Sequence, residues 1–197
     1  MIMERLAAWV MEFGGRHLEK ELAATKQRWM TPLQGQVLEL GPGLGANLPY
    51  LRHTQWTGLE PSAAMREGLL RRGAPGPLLA GVAEAIPLPD DSVDAVVGTL
   101  VLCSVRDPRK VLAEVRRVLK PTGSFVYIEH VASARLMGRC LQQLLRPVCG
   151  LIGCHPVRKT GQLIAQAGFA QVQEEPLAVR GMSFLPHIVG RASQNGR

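Results

Sequence analysis

The sequence predicts an α/β protein built on a mostly parallel sheet with helices on both faces. Three observations carry that expectation. From Gln36 onward, short apolar segments of strand length alternate with helical ones. The first of them, Val37-Leu38-Glu39-Leu40, runs into glycines at alternate positions, Gly41, Gly43 and Gly45. Between the fourth and fifth strands, Pro108–Leu119 gathers Val111, Leu112, Val115, Val118 and Leu119 on one helical face. Strands joined through helices pair in parallel, and a parallel sheet must be covered on both sides.

Residues Met1–Met30 read as one or two helices, with Leu6, Trp9, Val10, Phe13 and Leu18 at helical spacing and a break at Gly14–Gly15. Strands are expected at Gln36–Leu40, Gln55–Leu59, Pro77–Ala80, Val93–Thr99, Ser124–His130, Ala170–Leu177 and Ser183–Ala192. A helix is expected after the glycine-rich turn. Pro108 suits a helix start, and the turn Pro121-Thr122-Gly123 suits its stop. Within Val131–His155, Leu136, Met137, Leu141, Leu144, Leu145 and Leu151 form an apolar helix that also carries Arg135, Arg139 and Arg146. The last two strands have no helix between them and read as an antiparallel pair at one edge. Residues 1–197 form one domain, with Ser193–Arg197 as a frayed tail.

Composition narrows the classes further. Apolar residues at 46% and charged residues at 20% are globular values and exclude a disordered chain. No apolar run approaches the roughly 18 residues of a membrane span. Glu4, Arg5 and Glu12 interrupt the amino terminus where a signal peptide is apolar, so a cytoplasmic protein is expected. The net charge of +7 suits an anionic partner. Aromatics are only 5% and the arginines are scattered, which argues against nucleic acid. Cys103, Cys140, Cys149 and Cys154 complete no zinc pattern by spacing and read as free thiols, so no metal is expected.

The glycine-rich turn holds the most chemistry. Glycines let the backbone turn sharply and let a ligand lie against it. The spacing Gly41-x-Gly43-x-x-Ala46 also satisfies a dinucleotide fingerprint, and Glu39 separates the two readings. In a dinucleotide site that strand end is apolar; a carboxylate there is costly unless a cation, such as a ligand ammonium, pairs with it. Glu60 ends the second strand 19 residues beyond Gly41, near the roughly 20-residue spacing at which an acid grips ribose hydroxyls. The loop from Gly81 to Asp94 follows the third strand and can offer backbone groups to a base edge.

These residues resemble the class I S-adenosylmethionine-dependent methyltransferases with an ubiquinone/menaquinone-methyltransferase-like core. The resemblance runs from about His17 to Arg191. It rests on the Glu39–Asn47 loop, Glu60, Ala83-Glu84-Ala85-Ile86-Pro87 and Asp91-Ser92-Val93-Asp94. Leu119-Lys120-Pro121-Thr122-Gly123 and Ala167-Gly168-Phe169 add to it. Leu100-Val101-Leu102-Cys103-Ser104-Val105, Glu129-His130-Val131 and Pro186-His187-Ile188 resemble the subgroup that includes microsomal thiol methyltransferases. The resemblance implies a Rossmann-like seven-stranded sheet in order 3-2-1-4-5-7-6 with strand 7 antiparallel. It implies S-adenosylmethionine as cofactor, with Glu39, Gly41, Gly43 and Gly45 at its methionine half, Glu60 at its ribose and Val82, Ala83 and Glu84 at its adenine. Asn47, Pro61, Thr99 and Leu100 complete the expected cofactor set. Many family members have Asp where this chain has Val82. The apolar amino-terminal anchor of the microsomal relatives does not resemble the charged Met1–Met30.

Methyl transfer from a sulfonium releases a neutral thioether, so good alignment can supply most of the catalysis. A base is needed only where the acceptor must lose a proton. His130 after the fifth strand and His187 in the last strand are the candidates. The implied partner is a small-molecule methyl acceptor: a thiol, a quinone-like ring or a lipid amine. The arginine-bearing helix allows peripheral contact with an anionic membrane. A nicotinamide-dependent oxidoreductase using the same loop and a non-catalytic S-adenosylmethionine-binding protein are the alternatives.

Overall fold

Apolar residues on both faces of the central strands require cover on both sides, and the chain supplies it. The computed structural model describes residues 2–151, 153–182 and 185–194, without the side chains of residues 2–14, 16, 148 and 151. The strands are β1 (Gln36–Leu40), β2 (Gln55–Leu59), β3 (Leu78–Leu79), β4 (Val93–Thr99), β5 (Leu119–His130), β6 (Gln171–Leu177) and β7 (His187–Ser193). The helices are α1 (Ile2–Met30), α2 (Ala63–Arg71), α3 (Pro108–Val118), α4 (Leu136–Leu151) and α5 (Thr160–Ala165). The sheet order is β3-β2-β1-β4-β5-β7-β6, with β7 antiparallel to β5 and β6 and the other pairs parallel. This is the order and polarity that the resemblance implied.

One face packs Leu38, Val96, Phe125 and Tyr127 under Val111, Leu112, Val115 and Val118 of α3. The opposite face packs Val37, Val97, Val126 and Ile128 under Leu22, Trp29 and Met30 of α1 and Leu69 of α2. Helix α3 begins where Asp107 accepts from the backbone N–H groups of Arg109 and Lys110, satisfying donors that a helix start leaves open.

Several boundaries differ from the sequence expectation. Helix α1 runs through Gly14–Gly15 without a break. Two glycines cost about 1 kcal/mol each relative to Ala, too little to stop a 29-residue helix of otherwise good formers. The side chains of Leu6, Trp9, Val10 and Phe13 lie outside the described residues. After the glycine-rich turn comes only the 3-10 turn Leu48–Tyr50, not a helix. Pro49 fits its first turn, and β2 follows too closely for anything longer. The expected turn at Pro121–Gly123 is absorbed into β5 as an irregularity: Val93 pairs with Leu119, and Ala95 already pairs with Ser124. Helices α2 and α5 were not anticipated. Strand β3 is shorter than expected, and β7 starts at His187, with residues 183 and 184 outside the described set. The tail does not fray at its start. Ser193 belongs to β7, and the backbone N–H of Gln194 donates to Gly123 O at 3.1 Å.

Candidate active site

Ligands of open α/β sheets gather beyond the carboxyl ends of the strands, where the order reverses. Here that place lies between β1 and its two neighbours, β2 and β4. It holds a cavity of about 650 Å³, within the usual range for small-molecule sites. Gly41 after β1, Glu60 and Pro61 after β2, and Thr99 and Leu100 at the end of β4 form much of its wall. Val82, Ala83 and Glu84 close the side beyond β3. Gly41, Gly43 and Gly45 all have positive φ, the left-handed conformation that an L side chain resists, so the loop can bend over the strand end. At Gly45 an added Cβ would also meet Leu69 Cδ1 at 2.7 Å. Leu100 adopts φ 57 without being glycine, and its N–H is held by Ile128 O at 2.8 Å. Strain of this kind persists only where the surroundings fix it.

Glu60 is buried and uses both carboxylate oxygens. Oε2 accepts from Gly43 N at 3.1 Å and Oε1 from Ser62 N at 2.9 Å. Each oxygen keeps a lone pair for a further donor from the cavity. Glu84 lines the cavity, but its Oε1 accepts from Arg106 N and Asp107 N, so its carboxylate ties down the chain entering α3. Val82 is 49% exposed and offers no side-chain hydrogen bond.

Glu39 lies beneath this cavity rather than on its wall, 1% exposed. Its Oε1 accepts from Asn47 Nδ2 at 2.9 Å and its Oε2 from Trp56 Nε1 at 2.7 Å. Asn47 Nδ2 also reaches Thr99 Oγ1 at 3.1 Å, which links the buried acid to the wall. Burial raises the Glu39 pKa; the bonds from Trp56 and Asn47 and the field of Lys26 oppose that rise. Lys26 itself is fully buried on α1, with its ammonium donating to Glu19 at 2.5 Å. Sequence reasoning missed Trp56 and Lys26. A tryptophan in β2 and a lysine within the apolar stripe of α1 were the available signals.

A second acid was also missed. Glu129 is fully buried on β5 and accepts from the backbone N–H groups of Val101, Leu102 and Cys103 at 2.8, 2.7 and 3.3 Å. Burial pushes its pKa to about 7 against the pull of those amides and of His130. It shapes the turn after β4, and its signal was one charge in an otherwise apolar strand end.

The two candidate histidines face each other across β5 and β7. His130 pairs with His187 in register, and their rings stand edge to face at 6.2 Å between centroids. His130 Nε2 lies 2.9 Å from Cys154 Sγ, and His130 does not line any cavity described here. Burial lowers its pKa, but the contact with Cys154 outweighs that and leaves it raised. His187 lines a separate cavity of about 490 Å³ with Pro176, Leu177, Val179, Met182 and Leu185. Burial and the neighbouring His130 push His187 down to about 4, so its imidazole is neutral near pH 7.

Residues 38–127 match a family model described as a methyltransferase domain. The chain is 38% identical over 169 residues to the thiol S-methyltransferase TMT1B of Rattus norvegicus, covering 79% of this chain and 69% of that protein. The protein belongs to the class I S-adenosylmethionine-dependent methyltransferases. Solved structures share the fold. One is a S-adenosylmethionine-dependent methyltransferase from Thermotoga maritima, with TM-score 0.71 and 21% identity over 98% of this chain and 96% of that one. Another is Haemonchus contortus phosphoethanolamine N-methyltransferase 2 in complex with S-adenosyl-L-methionine, with TM-score 0.73 and 14% identity over 89% of this chain and 52% of that one.

S-adenosylmethionine is thus the methyl donor, and the 650 Å³ cavity of this methyltransferase fits it. A buried carboxylate with free lone pairs stands at one wall, apolar Val82 and Ala83 at another, and bare backbone at Gly41. Among the described residues, no helix is long and apolar enough to cross a membrane.

Proposed function

We propose that this methyltransferase acts on a small thiol. The carrying observation is the similarity to thiol S-methyltransferases from rat, human and mouse, at 37–39% identity over about four-fifths of this chain. The second cavity supports it, since its mostly apolar walls suit the alkyl or aryl group of a thiol and Arg135 at its edge suits the sulfur's charge. When bound, S-adenosylmethionine supplies a methyl group already activated by the positive sulfonium. In this reading Glu60 accepts from the ribose hydroxyls, and backbone groups of Val82–Glu84 meet the adenine edge. Gly41, Gly43, Gly45 and Pro61 shape the bed beneath. Glu39, through Asn47 and Thr99, sets the negative charge toward the methionine ammonium, while Leu100 holds the wall beside the methyl group.

Neither histidine acts as the base in this reading. His130 is committed to Cys154, and a His187 neutral down to about pH 4 takes protons too weakly. Alignment then carries the catalysis, and the acceptor arrives already ionised. Turnover on a thiol panel from pH 6 to 9 tests this. Below a thiol pKa of about 8.5 the rate should climb about tenfold per pH unit. His187→Gln should keep that slope. A rate flat with pH would put a base inside the protein, and methylation of quinols or lipid amines but no thiol would overturn the acceptor class.

The surface adds a second feature. Helix α4 exposes Leu136, Met137 and Leu144 at 71, 84 and 75% beside the exposed Arg135, Arg139 and Arg146. Large apolar side chains flanked by arginines suit an anionic lipid surface. The protein in this reading works peripherally on such a membrane, where apolar thiols concentrate.

A further inference from the structure

Three donors that are far apart in sequence meet where β4, β5 and the segment after α4 converge. Cys103 lies on the turn that Glu129 organises, His130 ends β5, and Cys154 follows α4. Their ligating atoms lie within 4.8 Å of one another. Cys103 and His130 are buried and Cys154 is half-buried. The Cys103 thiol donates to Leu100 O at 3.2 Å, and His130 Nε2 lies 2.9 Å from Cys154 Sγ. The cavities used above for the methyl donor and the acceptor include none of the three donors.

We propose that Cys103, His130 and Cys154 form a binding site for a thiophilic closed-shell divalent cation of the zinc class. Two sulfurs and one imidazole are the ligand types such an ion selects, and three protein ligands with one open position are a known zinc arrangement. Zn–S bonds of about 2.3 Å and Zn–N bonds of about 2.0–2.1 Å in a tetrahedron put neighbouring ligand atoms about 3.5–3.8 Å apart. The observed separations, 2.9 Å at His130 Nε2–Cys154 Sγ and all within 4.8 Å, reach that spacing by side-chain rotation. Charge balance agrees. Two thiolates neutralise a divalent ion, so the loaded cluster adds no net charge to the interior, and each thiol gives its proton to solvent on binding. Cys149, near the end of α4, neighbours Cys154: its backbone oxygen accepts from Cys154 N at 2.9 Å. His130 is in this proposal a ligand, which explains why a histidine at the strand end faces sulfur rather than substrate.

The bound ion would pin the turn after β4 to β5 and to the segment after α4. Reduced full-length protein, titrated with Zn(II) and separately with Co(II), tests the proposal without any methyl acceptor. A failure of the thiol reading therefore leaves the outcome untouched. The expected result is one ion per chain and a Co(II) spectrum with sulfur-to-metal charge transfer and intense tetrahedral bands. Zn(II) should also protect two thiols from a colorimetric thiol reagent. Cys103→Ser, Cys154→Ser and His130→Gln should each weaken binding at least tenfold, whereas Cys140→Ser, on the exposed face of α4, should not. Should a variant fail to fold, the wild-type thiol-protection count still decides. No stoichiometric ion, no protection of thiols, or a spectrum indifferent to all three variants would overturn the site. So would a Cys103–Cys154 disulfide as the only stable state of the pair under reducing purification.

Discussion

Glu39 is buried with a donor on each oxygen, Asn47 on one and Trp56 on the other. In the proposed reading such a carboxylate serves two ends: it holds the β1–β2 region together and projects charge into the cavity above. Glu39→Gln separates them. Removing the charge forfeits a charge-assisted interaction of about 1.5–3 kcal/mol, so affinity for S-adenosylmethionine should fall about 10- to 150-fold in calorimetry. An amide also has only one oxygen to accept with, so its NH2 must face the Trp56 or the Asn47 donor. Denaturant unfolding should record a loss of about 1–3 kcal/mol for that unpaired donor. Lost stability with unchanged affinity would make Glu39 a purely structural acid. The acid itself was legible, because a lone carboxylate in an apolar strand needs a reason. Its partners were not. Trp56 reaches it because parallel register sets Glu39 opposite Gly58, and no local pattern encodes that register.

Among the elements, α4 was the most legible and its outward face the least. The repeat of leucines announced an amphipathic helix, but periodicity does not say whether the apolar stripe faces the sheet or solvent. Here Gln142 is fully buried, donating to Val131 O at 3.0 Å and accepting from Ser133 N at 2.8 Å, while Leu136, Met137 and Leu144 face outward. A polar residue turned inward because unpaired backbone groups at the end of β5 needed it. If α4 rests on lipid, the wild type should co-sediment with vesicles containing phosphatidylserine and be released by high salt. Met137→Ser with Leu144→Ser should cut retention at least tenfold, in line with about 1.5–3 kcal/mol for burying each side chain. Equal binding to purely zwitterionic vesicles, or none to either kind, would remove the membrane reading. Helix α5 escaped the sequence reading because six residues are too few to establish a period.

Across the whole molecule, two carboxylates tie distant segments into one sheet. Asp94 accepts from Lys120 Nζ at 2.7 Å and from Gln36 N at 2.8 Å, joining β1, β4 and β5. Glu114 on α3 accepts from Arg117 and from Ile86 N at 2.7 Å, joining the helix to the loop after β3. The bond from Lys120 holds Asp94 below its ordinary range, and the bond from Arg117 does the same for Glu114. A depressed folded pKa means that the unfolded chain binds protons first as pH falls. The stabilisation is therefore complete above the unfolded values of about 3.9 and 4.3, and it is lost as pH drops through the folded ones. Urea midpoints measured from pH 6 to 2.5 should fall most steeply below pH 4.5. The double variant Asp94→Asn/Glu114→Gln should start lower and fall less. Parallel curves for the two proteins would mean that these acids contribute nothing to the pH dependence of stability.

The order of strands, the glycine turn and the acids at two strand ends follow from local chemistry. Apolar periodicity, backbone permissiveness and the cost of a buried charge act within a few residues, so the sequence by itself determined the fold class and the place of the cavity beyond β1, β2 and β4. Tertiary structure decided what needed contacts between distant segments. Spacing left Cys103, His130 and Cys154 as two free thiols and a strand-end base, because 27 and 24 residues separate neighbours along the chain. Pairing β5 between β4 and β7, and returning the chain past α4, brings them together. Distance in space is set by the whole sheet, and no stretch of sequence carries it alone.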